Sequence, residues 1–349
     1  MQTAIVLTNG LLSTNNAKTA HGLIRGSERY RIGGIIDAPA TAGGDAGVLL
    51  DGKHRGIPVF ADLDAALHQL PDARFLIIGV ATVGGYLPPD MLVIVKEAIL
   101  RGLSIVNGLH EYLSEKPAIA ALAKQEAVEL IDIRKPKPPQ ELHFWTGRIF
   151  EIPVSVIAVL GMDCATGKRT TARLLKEACV AVGLPAEMIY TGQTGWLQGL
   201  QYGFILDSTL NDFVSGELEH AILQCWKETG AKLIFLEGQS ALRNPSGPCG
   251  LELLISGHAK YTVLVYAPKR IYYDEDPKWG AIPPVETEIE LIEMLGSKVI
   301  ALALNTHDCT KEEATGFQAE LEKRLGIPVL LPLEEGVDRI LPTLNSLVP

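Results

Sequence analysis

The sequence predicts an α/β protein built from two doubly wound domains, and three observations carry that prediction. Short apolar runs alternate with amphipathic stretches along most of the chain. A proline-rich segment interrupts this rhythm once, near residue 136. The second half then opens on an apolar run, a glycine-bounded turn and a helical pattern that begins at a lysine. Buried strands alternating with helices imply parallel sheets covered on both faces.

In the first half, residues 4–7, 33–36 and 75–79 read as buried parallel strands, and 103–107 and 128–133 continue the series. Helical patterns over 63–70, 91–101 and 119–125 lie between them. The turn Gly79-Val-Ala-Thr-Val-Gly-Gly85 follows a strand and precedes a helix, but it is not a dinucleotide fingerprint and is read as a structural turn. Arg134-Lys-Pro-Lys-Pro-Pro-Gln140 is the clearest linker, because clustered prolines break helices and cannot sit in a central strand. The boundaries expected are 1–135 for the first domain, 136–152 for the linker and 153–349 for the second domain. Strands are expected there at 154–160, 187–190, 232–236, 261–266, 298–304 and 328–331, with helices near 170–182, 212–229, 287–295 and 311–325.

At 349 residues the chain is long enough for two cores, and its 47% hydrophobic and 21% charged residues are those of a globular protein. A formal net charge of −10 argues against a nucleic-acid or anionic-membrane partner, so any anion must be held by local basic spots. Cys164, Cys179, Cys225, Cys249 and Cys309 are scattered, with neither zinc spacing nor a disulfide pattern, and no metal site is read. The N-terminus lacks a signal-peptide pattern and no run approaches a membrane span. A cytoplasmic protein with a small-molecule partner is expected, its oligomeric state left open.

The stretch Gly161-Met-Asp-Cys-Ala-Thr-Gly-Lys-Arg-Thr-Thr171 carries most of the functional information. Gly161 and Gly167 permit turns that aim successive backbone N–H groups at one anion. The helix that follows adds its positive end, and Lys168 a full charge. Five residues separate the glycines instead of the Walker A four, and Arg169 stands where a hydroxyl normally holds magnesium. Thr170 lies one residue on, about 100° further around the helix. Asp163, Cys164, Gly167, Lys168, Arg169, Thr170 and Thr171 are therefore candidate phosphate-binding residues with Gly161. Cys164 is read as a small residue fitting a tight loop, not as a nucleophile.

Glu237, at the end of an apolar run and before Gly238-Gln239, is a candidate strand-end acid beside the loop. Gln193 and Thr194, in Tyr190-Thr-Gly-Gln-Thr-Gly195, offer polar groups to a ligand or form a tight connection. Lys18, His21 and Arg25 recur at helical spacing and read either as an anion-binding stripe or as a solvated face. His110, after another strand, is a second candidate base, although a capping or core histidine is the commoner case.

Taken together, Gly161–Thr171, Thr191-Gly-Gln-Thr-Gly195, Asn211-Asp-Phe-Val-Ser-Gly216, Glu237-Gly-Gln239, Lys18-Thr-Ala-His-Gly-Leu-Ile-Arg25 and Gly108-Leu-His110 resemble the DgcN-type family over nearly the whole chain. That family, long of unknown function, has an N-terminal Rossmann-like domain and a C-terminal P-loop NTPase-like domain. Its characterised activity is N-acetylation of D-glutamate. The resemblance implies an acetyl-CoA-dependent N-acetyltransferase, with Gly161–Thr171, Glu237 and Gln239 around a phosphate-bearing cofactor. The family usually shows Glu-Gly-Gln-Gly-Ser-Leu followed by His-Pro; here Ser240-Ala241 and Asn244-Pro245 stand instead. The loop alone also resembles that of dethiobiotin synthetase.

Coenzyme A carries a pyrophosphate and a ribose phosphate, which a cationic amide cradle suits without metal. The acceptor amine must lose a proton, for which Glu237, His21 and His110 are the candidate bases. The alternatives are an ATP- and magnesium-dependent ligase or kinase of a small carboxylate, and a nucleotide-binding module without catalysis.

Overall fold

The computed structural model describes residues 1–349 except for the side chain of Val83, which belongs to the turn 79–85 read above. The chain forms two compact units, Met1–Pro136 with Gln193–Leu200, and Lys137–Gly192 with Gln201–Pro349.

The first unit contains β1 (Gln2–Leu7), α1 (Lys18–Arg25), β2 (Tyr30–Ile36), α2 (Ala46–Asp51), β3 (Val59–Phe60), α3 (Leu63–Gln69), β4 (Ala73–Ile78), α4 (Pro89–Leu100), β5 (Ser104–Asn107), α5 (Pro117–Gln125) and β6 (Leu130–Asp132). The second begins with β7 (Ser155–Gly161), α6 (Lys168–Ala181) and β8 (Ala186–Ile189). The chain then runs through α7 (Gln193–Gln198), which packs with the first unit. The second unit resumes with α8 (Asn211–Thr229), β9 (Leu233–Glu237), α9 (Leu251–Ile255), β10 (Tyr261–Tyr266), α10 (Val285–Met294), β11 (Lys298–Leu304), α11 (Lys311–Leu325), β12 (Val329–Leu330) and α12 (Leu341–Ser346).

Each unit holds one parallel six-stranded sheet. In the first the order is β3-β2-β1-β4-β5-β6, the doubly wound order of Rossmann-like domains. In the second it is β12-β11-β10-β7-β9-β8, so β7 lies between β10 and β9 and the winding reverses there. Ligands bind outside the carboxyl ends of strands at such a reversal, which is where the loop after β7 emerges.

The central strands are apolar on both faces because helices cover both. Ala4–Leu7 of β1 and Ile157–Val159 of β7 are completely buried. Helix α6 turns Ala172, Leu175 and Cys179 inward at helical spacing. Strand β3 and helices α2 and α9 escaped the sequence reading: β3 has only two residues and sits at the sheet edge behind Pro58. Helix α2 is short and depends on Asp45, whose carboxylate accepts from Val48 N–H at 3.0 Å.

The proline-rich stretch passes to the second unit at Lys137. The residues after it are fastened along α8. Glu217 accepts from the Lys137 ammonium at 3.1 Å and from the His143 N–H and ring nitrogen at 2.8 and 2.7 Å. Glu219 accepts from Thr146 N–H at 2.6 Å and Ile149 N–H at 3.2 Å. Gly216 lets the backbone close in, since a Cβ there would lie 2.0 Å from the His143 carbonyl oxygen.

Candidate functional site

In the second unit, the residues singled out around the loop converge. Gly161 closes β7, Gly167 has φ +100° and Ala165 has φ +52°, so the chain folds tightly back before α6. A Cβ on Gly161 would come within 2.7 Å of Thr166 Oγ1, and one on Gly238 within 2.3 Å of the Val159 carbonyl oxygen. Only glycine permits that approach. Lys168 is the first residue of α6, and its buried side chain donates to the Asp163 carbonyl oxygen at 2.6 Å. Arg169 and Thr170 are half-buried and Thr171 is buried in the first turn.

Glu237 ends β9, the strand hydrogen-bonded to β7, in register with Val159. Its buried carboxylate accepts from Thr191 N–H at 3.1 Å, while its carbonyl oxygen accepts from Thr191 Oγ1 at 2.8 Å. Gln239 donates to Thr191 Oγ1 at 2.9 Å. Burial pushes the Glu237 carboxyl above its ordinary range, against the opposing pull of Arg169, the Thr191 and Gly192 N–H groups, and Lys168. Burial makes this carboxylate more ready to take up a proton, and the two cations hold part of it in the ionised form.

Asp163 is completely buried. One oxygen accepts from the Asn244 amide at 2.9 Å. The other accepts from Arg270 Nη1 and Asp274 N–H, both at 2.9 Å. Cys164 donates to Ser240 Oγ at 3.3 Å. Asp163, Cys164 and Asp274 bring potential ligand atoms within 4.8 Å of one another, but Asp163 already has donors on both oxygens. Asn244, where the resembled family has histidine, is completely buried and serves as a bracket for Asp163.

The remaining candidates belong to the first unit. His21 Nε2 donates to the Leu12 carbonyl oxygen at 2.6 Å, which ties α1 to the loop after β1. Lys18 is exposed, and Arg25 pairs with Asp51 at 3.7 Å. His110 is exposed and lies over Gly85, where a Cβ would come within 2.5 Å of its ring. Gln193 and Thr194, in α7, each approach Thr19 Oγ1 at 3.4 Å, and Gly108 makes room for the Gln193 side chain. Thr19, Gly108, Gln193 and Thr194 thus meet in one place, although three separate motifs supplied them. Asp37, at the end of β2, accepts from Thr8 Oγ1, Gly10 N–H, Leu12 N–H and Thr41 Oγ1 at 2.7, 2.8, 3.0 and 2.8 Å. A dinucleotide ribose needs a free acid at that point, and Asp37 is instead the clasp of the preceding loop.

Arg270, Asp274 and Asn305 were missed at the sequence level. They follow β10 and β11, and their relevance depends on strand order, which residue patterns do not reveal.

Comparison with known proteins agrees with this architecture. Residues 143–341 match a family model described as a domain of unknown function (DUF1611_C), P-loop domain. Residues 39–136 match its partner, DUF1611_N, described as a Rossmann-like domain. A D-glutamate N-acetyltransferase from Pseudoalteromonas sp. is 29% identical over 279 residues, covering 78% of this chain and 81% of the relative. Another, from Tritonibacter scottomollicae, is 27% identical over 281 residues, with 78% and 82% covered. The crystal structure of a DUF1611 family protein from Anabaena variabilis ATCC 29413 superposes with a TM-score of 0.90 at 28% identity, covering 99% of this chain and all of that one.

Proposed function

Because the chain belongs to the DUF1611 family, the DgcN-type family its motifs resemble, we propose that it is an N-acetyltransferase that moves an acetyl group from acetyl-CoA to the amine of a small, D-glutamate-like amino acid. The observation that carries this reading is the pairing of its relatives' activity with the character of its loop. D-glutamate N-acetyltransferases align with over three quarters of the chain. The loop itself offers a lysine, a helix N-terminus and an arginine to phosphates.

Magnesium fits these residues poorly. Arg169 replaces the ligating hydroxyl, Asp163 is fully engaged, and the Glu237 carboxylate already holds the Thr191 N–H. In the proposed reaction Lys168, Arg169 and the loop amides hold cofactor phosphates. The neutral acceptor amine attacks the thioester carbonyl carbon, a C–N bond forms, and the C–S bond breaks with release of the CoA thiolate. Glu237 takes the proton from the nitrogen, and its burial raises its basicity for that task.

The test is release of free thiol from acetyl-CoA with D-glutamate as acceptor, L-glutamate as control, and chelator present. Turnover with D-glutamate that falls about 100-fold or more in E237Q supports the reading. Absence of thiol release from the wild-type chain with any amino-acid acceptor contradicts it.

A further inference from the structure

Three carbonyl oxygens of the phosphate loop are each held by a side-chain donor. Asp163 O accepts from Lys168 Nζ at 2.6 Å, Cys164 O from Arg270 Nη1 at 2.7 Å, and Thr166 O from Asn305 Nδ2 at 3.1 Å. A carbonyl turned toward a donor is not presented to an anion, so these contacts determine which dipoles the loop offers. Two of the donors come from outside the loop and helix. The third, Lys168, is a cation that a bound phosphate would also attract.

Arg270 donates to three partners. Its side chain is only 9% exposed, and it joins the Asp163 carboxylate to the Cys164 carbonyl oxygen through one nitrogen. The other terminal nitrogen donates to Glu275 at 2.8 Å. The planar fork sets the angle between its partners, which a lysine cannot do. Asn244 and the Asp274 N–H complete the bracket on Asp163.

We propose that Arg270 is a positioning residue for anion binding. It fixes the shape of the loop, so that the amides still face the phosphate when Lys168 leaves the Asp163 carbonyl oxygen for the ligand. The proposal rests on the phosphate-binding part of the reading above, and not on acetyl-CoA being the ligand.

Its test is calorimetric titration of the full-length chain with coenzyme A and, separately, with inorganic pyrophosphate, for wild type, R270A, R270K and K168A. R270A is expected to bind both probes about ten- to hundredfold more weakly, as misplacement of binding groups does. Added methylguanidinium should restore part of that affinity in R270A and none in K168A. A role confined to stability lowers the melting temperature without this rescue. Should R270A not fold, R270K decides, because it keeps the charge without the fork: weaker binding by a chain of native circular dichroism supports the proposal. Wild-type affinity for both probes in a folded Arg270 variant overturns it, as does failure of rescue in folded R270A or a wild-type chain that binds neither probe. If the wild type binds pyrophosphate and not coenzyme A, the acetyl-CoA reading fails, and the role of Arg270 is decided on pyrophosphate alone.

Discussion

Ser240 has φ +36°, in the left-handed region where a Cβ is disfavoured, and it stands where the resembled family usually has glycine. The conformation is therefore held by the chain around it and tolerated by the serine. S240G is expected to raise stability by about 1 kcal/mol, less whatever the Cys164 contact contributes, measurable as a higher urea midpoint with unchanged slope. Glu237 carries a strain of another kind. Its carboxyl is raised by burial, so its ionised form is the costly one in the folded chain. A raised carboxyl leaves stability intact below the unfolded value, about pH 4.3, and lowers it as pH climbs through the folded value. E237Q is therefore expected to melt higher relative to wild type at pH 7 than at pH 4. A constant difference across that range contradicts the assignment. The sequence disclosed the loop, Lys168 and Glu237 because each stands at the junction of an apolar run and a polar turn. It did not disclose Arg270 or Asn305, whose roles depend on neighbours more than a hundred residues away.

At the scale of elements, α8 shows how a charged residue can be structural. Burial works against the Glu217 carboxylate, but the His143 ring and N–H and the Lys137 ammonium outweigh it and hold the carboxyl below its usual range. A lowered carboxyl contributes stability above its unfolded value and loses it as pH falls through the folded one. E217Q is accordingly expected to cost about 2 kcal/mol at pH 7 and progressively less below about pH 4.3, checked by urea melts across that interval. The helix itself was legible in the sequence; its clamping of the segment after the prolines was not. That depends on Gly216 admitting the His143 backbone, a contact between residues that only the fold brings together. Long, periodic helices such as α6, α8 and α11 are fixed by local pattern. The two-residue β3 is fixed by pairing with β2, which has no local signature.

At the scale of the whole chain, the division into two α/β units was readable from the interrupted strand–helix rhythm, but the path between β8 and α8 was not. Helix α7 lies in the sequence of the second unit and packs with the first. Leu197 is completely buried there with Ala20, Leu23 and Ile24, and Arg29 lies 4.0 Å over the Trp196 ring. L197A is expected to cost about 3 kcal/mol, with faster hydrogen exchange in β1 and α1. Faster exchange confined to β7 and β9 would show that α7 belongs energetically to the other unit. The molecule's net charge of −10 disfavours anions in general, so the proposed phosphate binding rests on the local cradle around Lys168. That is tested most directly by calorimetric titration of the wild-type chain and K168A with acetyl-CoA and with ATP, each with and without magnesium. Acetyl-CoA binding that is indifferent to magnesium and at least about tenfold weaker in K168A is the expected result. Magnesium-dependent ATP binding with no response to acetyl-CoA would contradict it.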